Sequence, residues 1–141
     1  MPNMIDEQAI IDELYTLLST INNVQVVYKG VPNSIGTYPA IIISENGWEE
    51  EYADLRDTTI NMNLKIIIVV NLQDDTLTAQ STLRSIVKSV RSILGDQTNI
   101  TLGGLIDSSR LTSGQYLFDQ KESMQGICEI TYNIRKRFSR V

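Results

Sequence analysis

Acidic side chains crowd one short stretch of this chain. Glu45 to Asp57 reads ENGWEEEYADLRD, with six carboxylates and a single arginine, Arg56. Glu49, Glu50, Glu51 and Asp54 are hard oxygen donors of the kind calcium and magnesium prefer, so a divalent-cation or small-ligand site is one chemistry on offer. On a strand, however, consecutive glutamates point to opposite faces, which works against a compact ligand set. Acid–base catalysis needs two carboxylates with separated ionisation, and nothing in this stretch sets one apart from another. The other chemistry is electrostatic: a negative surface offered to a basic partner, or a channel wall that must not hold DNA. Trp48 and Tyr52, aromatics set among charges, are of the type enriched at protein interfaces. A plain solvated loop, with the aromatics tucked back onto the domain, would read the same way.

Arg135, Lys136, Arg137 and Arg140 form a basic tail after the last acid, Glu129. Such a tail can bind phosphate, but a solvated strand end or a complement to an acidic neighbour fits its length better. An acidic patch and a basic tail on one small chain suit head-to-tail contacts between copies, the kind of interface that closes into a ring.

Other chemistries are poorly supplied. There is no histidine, and Cys128 is the only cysteine, which removes an intrachain disulfide, Cys/His zinc sites and every histidine-based triad. KGVPNSIG lacks the spacing and the Lys-Ser/Thr end of a phosphate loop, and no Gly-x-Ser-x-Gly elbow occurs. The expectation is therefore no cofactor and no enzyme. Asn99-Ile100-Thr101 matches a glycosylation sequon by chance, and Cys128 sits on the apolar phase of its segment as a small core residue.

Composition agrees with an ordinary globular domain. The 141 residues are 42% hydrophobic and 21% charged, enough for one core and one domain over residues 1–141. A net charge of -5 argues against non-specific nucleic-acid binding, though not against a duct through which DNA passes without sticking. The longest strictly apolar run, Ile66 to Val70, falls far short of a membrane span, and MPNMIDEQ has neither the basic flank nor the apolar core of a signal peptide. The expected setting is a cytoplasm, with no membrane partner.

Several elements must position these groups. The strongest pattern is Asp57 to Leu72, where Ile60, Met62, Leu64, Ile66, Ile68, Val70 and Leu72 alternate with a mostly polar row: a long strand with one buried face. Ile10, Leu14, Leu17, Leu18 and Ile21 predict an amphipathic helix over Ile5 to Ile21. Val24 to Tyr28 reads as a strand, KGVPNSIGTYP as a surface loop, and AIIISE as a second strand ending at Glu45. Asn46-Gly47 is a favourable type I′ turn pair, after which Trp48 to Arg56 is either the paired base of a long hairpin or a projecting loop. Gln73-Asp74-Asp75-Thr76 offers helix-capping chemistry, and Ala79, Leu83, Ile86, Val87, Val90 and Leu94 trace the helix that should cover the long strand, closed by Gly95 at C′. Gly103-Gly104 and Ser113-Gly114 break the next stretch into possible short strands at Leu105 to Thr112 and Gln115 to Gln120. Gln125 to Phe138 alternates again and is a natural sheet partner for the long strand. Together these predict an α+β fold, a mostly antiparallel sheet with two main helices packed on one face.

This order of elements, with Tyr38-Pro39-Ala40-Ile41-Ile42-Ile43 ahead of the acidic turn, Arg56 just before the long strand, a helix near Leu77 to Leu94 and a closing strand with basic residues, resembles the tail terminator (tail-completion, neck) proteins of tailed bacteriophages. The resemblance covers nearly the whole chain and rests on element order and local patterns. It implies a structural virion protein: a hexameric ring at the head-proximal end of the tail tube that stops tube polymerisation and docks the tail to the head connector. The partners implied are other copies of the chain, the tail tube protein and a head-completion protein, with DNA passing through the lumen. Trp48 to Asp57 would be the projecting element. A head-completion protein at the connector is the alternative within the same class.

Overall fold

The computed structural model describes residues 6–52, 57–73, 75–122 and 124–139. Its elements run α1 (Glu7–Leu18), β1 (Val26–Tyr28), β2 (Ala40–Tyr52), β3 (Asp57–Asn71), α2 (Thr76–Leu94), a 3-10 turn at Gln97–Asn99, β4 (Ser108–Asp119) and β5 (Gln125–Ser139). The strands form one five-stranded sheet in the order β1-β2-β3-β5-β4. Only β1 and β2 run parallel; the other neighbours are antiparallel. This is the α+β architecture expected from the sequence.

The alternating row of β3 explains the layering. Ile60, Met62, Leu64, Ile66, Ile68 and Val70, with Leu72 just beyond the strand, are all buried. Their cross-strand partners on β5 include Ile134, Tyr132, Ile130 and Cys128, buried as well, so the two strands present one apolar surface. Both helices cover it. α1 contributes Ile10, Ile11, Leu14 and Leu18, and α2 contributes Leu83, Ile86, Val87, Val90 and Leu94 to the same core. Each such side chain withdrawn from water is worth about 1.5–3 kcal/mol. α1 packs on β1 and β2, whereas α2 packs on β3, β5 and β4.

Each helix begins on an aspartate. Asp6 accepts from the Ala9 amide at 3.0 Å. Asp75 accepts from the Leu77 and Thr78 amides, both at 3.1 Å, so the capping chemistry expected after β3 falls on it. Gly95 does close α2, but in the right-handed region (φ -88°) rather than as a left-handed C′ residue. Glycine is required there by space instead: a Cβ would lie 2.7 Å from the Arg91 carbonyl oxygen.

Two expected breaks are not breaks. Asn46-Gly47 makes no hairpin turn; β2 runs on through it to Tyr52. Glu45 pairs with Leu64 and Trp48 with Met62, so one extra residue is absorbed in a β-bulge, with Gly47 at φ 99°. β2 and β3 stay paired as far as Tyr52 and Thr58. Similarly, Ser113-Gly114 lies inside β4, one continuous strand with a bulge between Leu111 and Ser113. Of the expected punctuation in this region only Gly103-Gly104 stands, with φ 70° and 91°.

The bulge in β2 has a structural consequence. Before it, odd residues (Ile41, Ile43) face the helices; after it, even residues do, because Trp48, Glu50 and Tyr52 pair with Met62, Ile60 and Thr58. One inserted residue thus keeps Trp48 and Tyr52 on the helix side and turns Glu49 and Glu51 to the opposite, open side.

Candidate functional site

Trp48 to Tyr52 is the paired base of a long hairpin, an arm formed with the start of β3. Every residue of β2 from Glu45 to Tyr52 is exposed. The Tyr52 hydroxyl donates to Glu50 Oε2 at 3.3 Å, within the helix-side row. The arm separates its carboxylates by face: Glu49 and Glu51 point to the open side and Glu50 to the helix side. Among the described residues no group of three acidic, histidine or cysteine side chains is arranged to hold a metal ion. Asp54 and Arg56 lie outside the described residues.

The basic residues of β5 sit level with the arm. Glu49 pairs with Asn61, Asn61 with Arg135, and Arg135 with Ser108, one row across four strands. Two members of the tail are engaged within the chain. Arg137 donates to Asp57 Oδ2 at 2.6 Å, and its backbone amide donates to Asp107 Oδ2 at 2.7 Å. Lys136, on the helix side, donates to the Leu105 carbonyl at 3.0 Å. Arg135 is exposed and shares an open-face cleft with Arg110, Asn61 and Asn133. Arg140 lies outside the described residues.

Four cations that the sequence reading passed over complete the picture: Arg84, Lys88 and Arg91 on α2, and Arg110 on β4. All four are exposed, and among the described residues none forms a salt bridge. Their signal was present, since positions 84, 88 and 91 fall on one helix face and Thr76 to Leu94 contains no acid. α1 is the opposite case, with Glu7, Asp12 and Glu13 and no basic residue. Glu7 lies beside Glu45 of β2; burial, then the charge of Glu45 and a hydrogen bond with it, push the Glu7 carboxyl above its ordinary range. The sheet is therefore acidic along its β2 and α1 side and basic along its β4 and α2 side.

The β4 side also carries apolar surface. β4 is twelve residues long and, among the described residues, an edge strand bound only to β5. On its helix side Tyr116 and Phe118 stack, with ring centroids 6.2 Å apart and planes inclined by 9°. Between Tyr116 and α2 runs a cleft lined by Arg91, Val87, Gly114 and Cys128. Cys128 is buried, and burial, followed by the neighbouring Glu129, pushes its thiol up, the setting of an inert core cysteine.

No protein-family model matches the chain, and no curated protein matches it. Among solved structures it is similar to a chain of the "Virion of native gene transfer agent (GTA) particle", at 12% identity and a TM-score of 0.45, over 94% of this chain and 93% of that one. A likeness at that level carries no argument about function.

Proposed function

We propose that this chain is a non-enzymatic structural protein of a tailed-phage virion, the tail terminator, which assembles as a ring, most simply a hexamer, on the head-proximal end of the tail tube. There it ends tube polymerisation and offers a docking face to a head-completion protein, with DNA passing through its lumen.

The observation that carries this reading is the exposed β2 strand of the β2–β3 arm. A strand that continues through a bulge with every side chain from Glu45 to Tyr52 exposed has not been extended for the benefit of its own core. Exposed aromatics beside carboxylates fit a contact with another protein. The element order on which the resemblance to tail terminators rests supports the reading, and the arm would serve as the projecting element that resemblance implies. The opposed charges of the two sheet edges suit copies meeting head to tail around a closed ring.

Native mass spectrometry of the purified chain, alone and with purified tail tubes, tests the reading. A ring mass in either sample, or rings seated on tube ends, is the expected result. A chain that stays monomeric and does not bind tubes under both conditions would overturn it.

A further inference from the structure

Resting on the ring reading above, we infer that the edge of β4, together with the cations of α2 that flank it, receives the β2 arm of a second copy, so that the sheet continues from one copy to the next.

Both edges are open where this requires it. Among the described residues β1 pairs with β2 only at Ala40 to Ile42, so no strand flanks β2 from Glu45 onward on that side, and none flanks β4 beyond β5. β2 runs antiparallel to β3, β3 to β5, and β5 to β4. A second copy in the same orientation therefore presents its β2 antiparallel to β4, with the helix sides matched. Placed level, the two copies would clash, because the incoming β1 would reach β4 near Gln115 to Leu117. A slide along the strands removes the clash.

The same slide matches the surfaces. Trp48 pairs with Met62, while Tyr116 pairs through Cys128 with Ile68. Moving the incoming copy by about six residues, roughly 20 Å, puts Trp48 in the row of Tyr116 and carries β1 past the end of β4. Trp48, Tyr116 and Phe118 are 62%, 49% and 37% exposed and lie on the helix side, so this register sets Trp48 opposite Tyr116 and diagonal to Phe118, while Tyr52 reaches the β4 bulge at Thr112. Glu50 then falls beside Gly114. The side chain missing at Gly114 opens the cleft that Arg91 lines, which gives the carboxylate both room and a counter-charge. On the open side Glu49 falls opposite Gln115 and Glu51 opposite Ser113, two rows short of Arg110 on the same side. The arm is acidic where the receiving edge is basic, the arrangement that favours unlike edges and disfavours pairing of like ones.

Two charge-reversed chains test this. One carries Glu49→Lys, Glu50→Lys and Glu51→Lys; the other carries Lys88→Glu, Arg91→Glu and Arg110→Glu. All substituted positions are exposed, and circular dichroism melts establish that each variant folds. Each variant alone should self-associate at least about tenfold more weakly than wild type, since its arm and edge now repel. Mixed in equal amounts they should assemble again, with the two chains in equal number, because each arm then meets an edge of opposite sign. Rings of wild-type strength from either variant alone, or a mixture no larger than its components while wild type forms rings, would overturn the docking and leave the ring reading standing. A wild-type chain that is monomeric with and without tail tubes would overturn both.

A second measurement does not depend on charge. With Cys128 buried, a chain carrying Glu50→Cys and Arg91→Cys should give a ladder of oligomers with a short bismaleimide, whereas either single variant should not. Equal ladders from the single variants, or none from the double variant, would contradict the placement.

Discussion

Arg137 and Asp57 clasp the end of the sheet, guanidinium to carboxylate at 2.6 Å, joining the last stretch of β5 to the first residue of β3 at the far end of the arm. The contact commits Arg137 to its own chain. Arg137→Ala should therefore cost stability, by less than about 1 kcal/mol as befits an exposed pair. It should weaken association between copies less than Arg91→Glu does. Urea titration and sedimentation of the two variants make the comparison.

Ile68 stands at the centre of the core, in a row with Ile41, Cys128 and Tyr116. It is fully buried. Ile68→Ala should lower the unfolding free energy by about 2–5 kcal/mol, the cost of lost burial plus an unfilled cavity. Chemical denaturation followed by circular dichroism reads it directly.

Glu7 and Glu45 give the stability a pH dependence of known sign. Glu7 is held above its ordinary value of 4.5 in the folded chain, by burial first and then by Glu45. A group whose folded pKa is raised contributes its stability below the unfolded pKa and loses it as pH rises through the folded value. Glu45→Gln removes the repelling charge. It should raise the urea midpoint above that pH range and change little below it, a small effect because Glu7 is largely exposed.

The hydroxyl of Tyr132 is buried with no hydrogen-bond partner among the described residues. Burial pushes the phenol up, and a weak hydrogen-bonding influence from Ser109 lowers it only in part, because the serine hydroxyl donates to the Ile100 carbonyl at 2.8 Å. Tyr132→Phe should be neutral or stabilising by up to about 1 kcal/mol, since it removes an unsatisfied polar group and keeps the ring. Thermal melts of the two proteins settle the sign.

How legible the chain is depends on whether a residue's partner lies on the same element. β3 and β5 are readable because each buries one face under the helices and leaves the other polar, so burial writes a period of two along the chain. The helices are readable for the same reason, at a period near 3.6 residues. The two bulges are not. Asn46-Gly47 has the composition of a hairpin turn, and only the pairing of Trp48 and Tyr52 with β3 shows that the strand continues. β4 carries little apolar alternation because it is an exposed edge, and Ser113-Gly114 therefore looks like an interruption. At the surface, the acidic arm was conspicuous as a run of like charges. The receiving edge was not, because its cations come from α2 and β4, which only the fold brings side by side. The basic tail was conspicuous too, yet Lys136 and Arg137 spend their donors on Leu105, Asp57 and Asp107.

The most direct test of the central claim is to polymerise purified tail tube protein in the presence of this chain and image the products by electron microscopy. Tubes carrying one ring at a single end and no longer growing from that end are the expected result. Tubes that elongate at both ends as they do without the chain, and carry no ring, would contradict it.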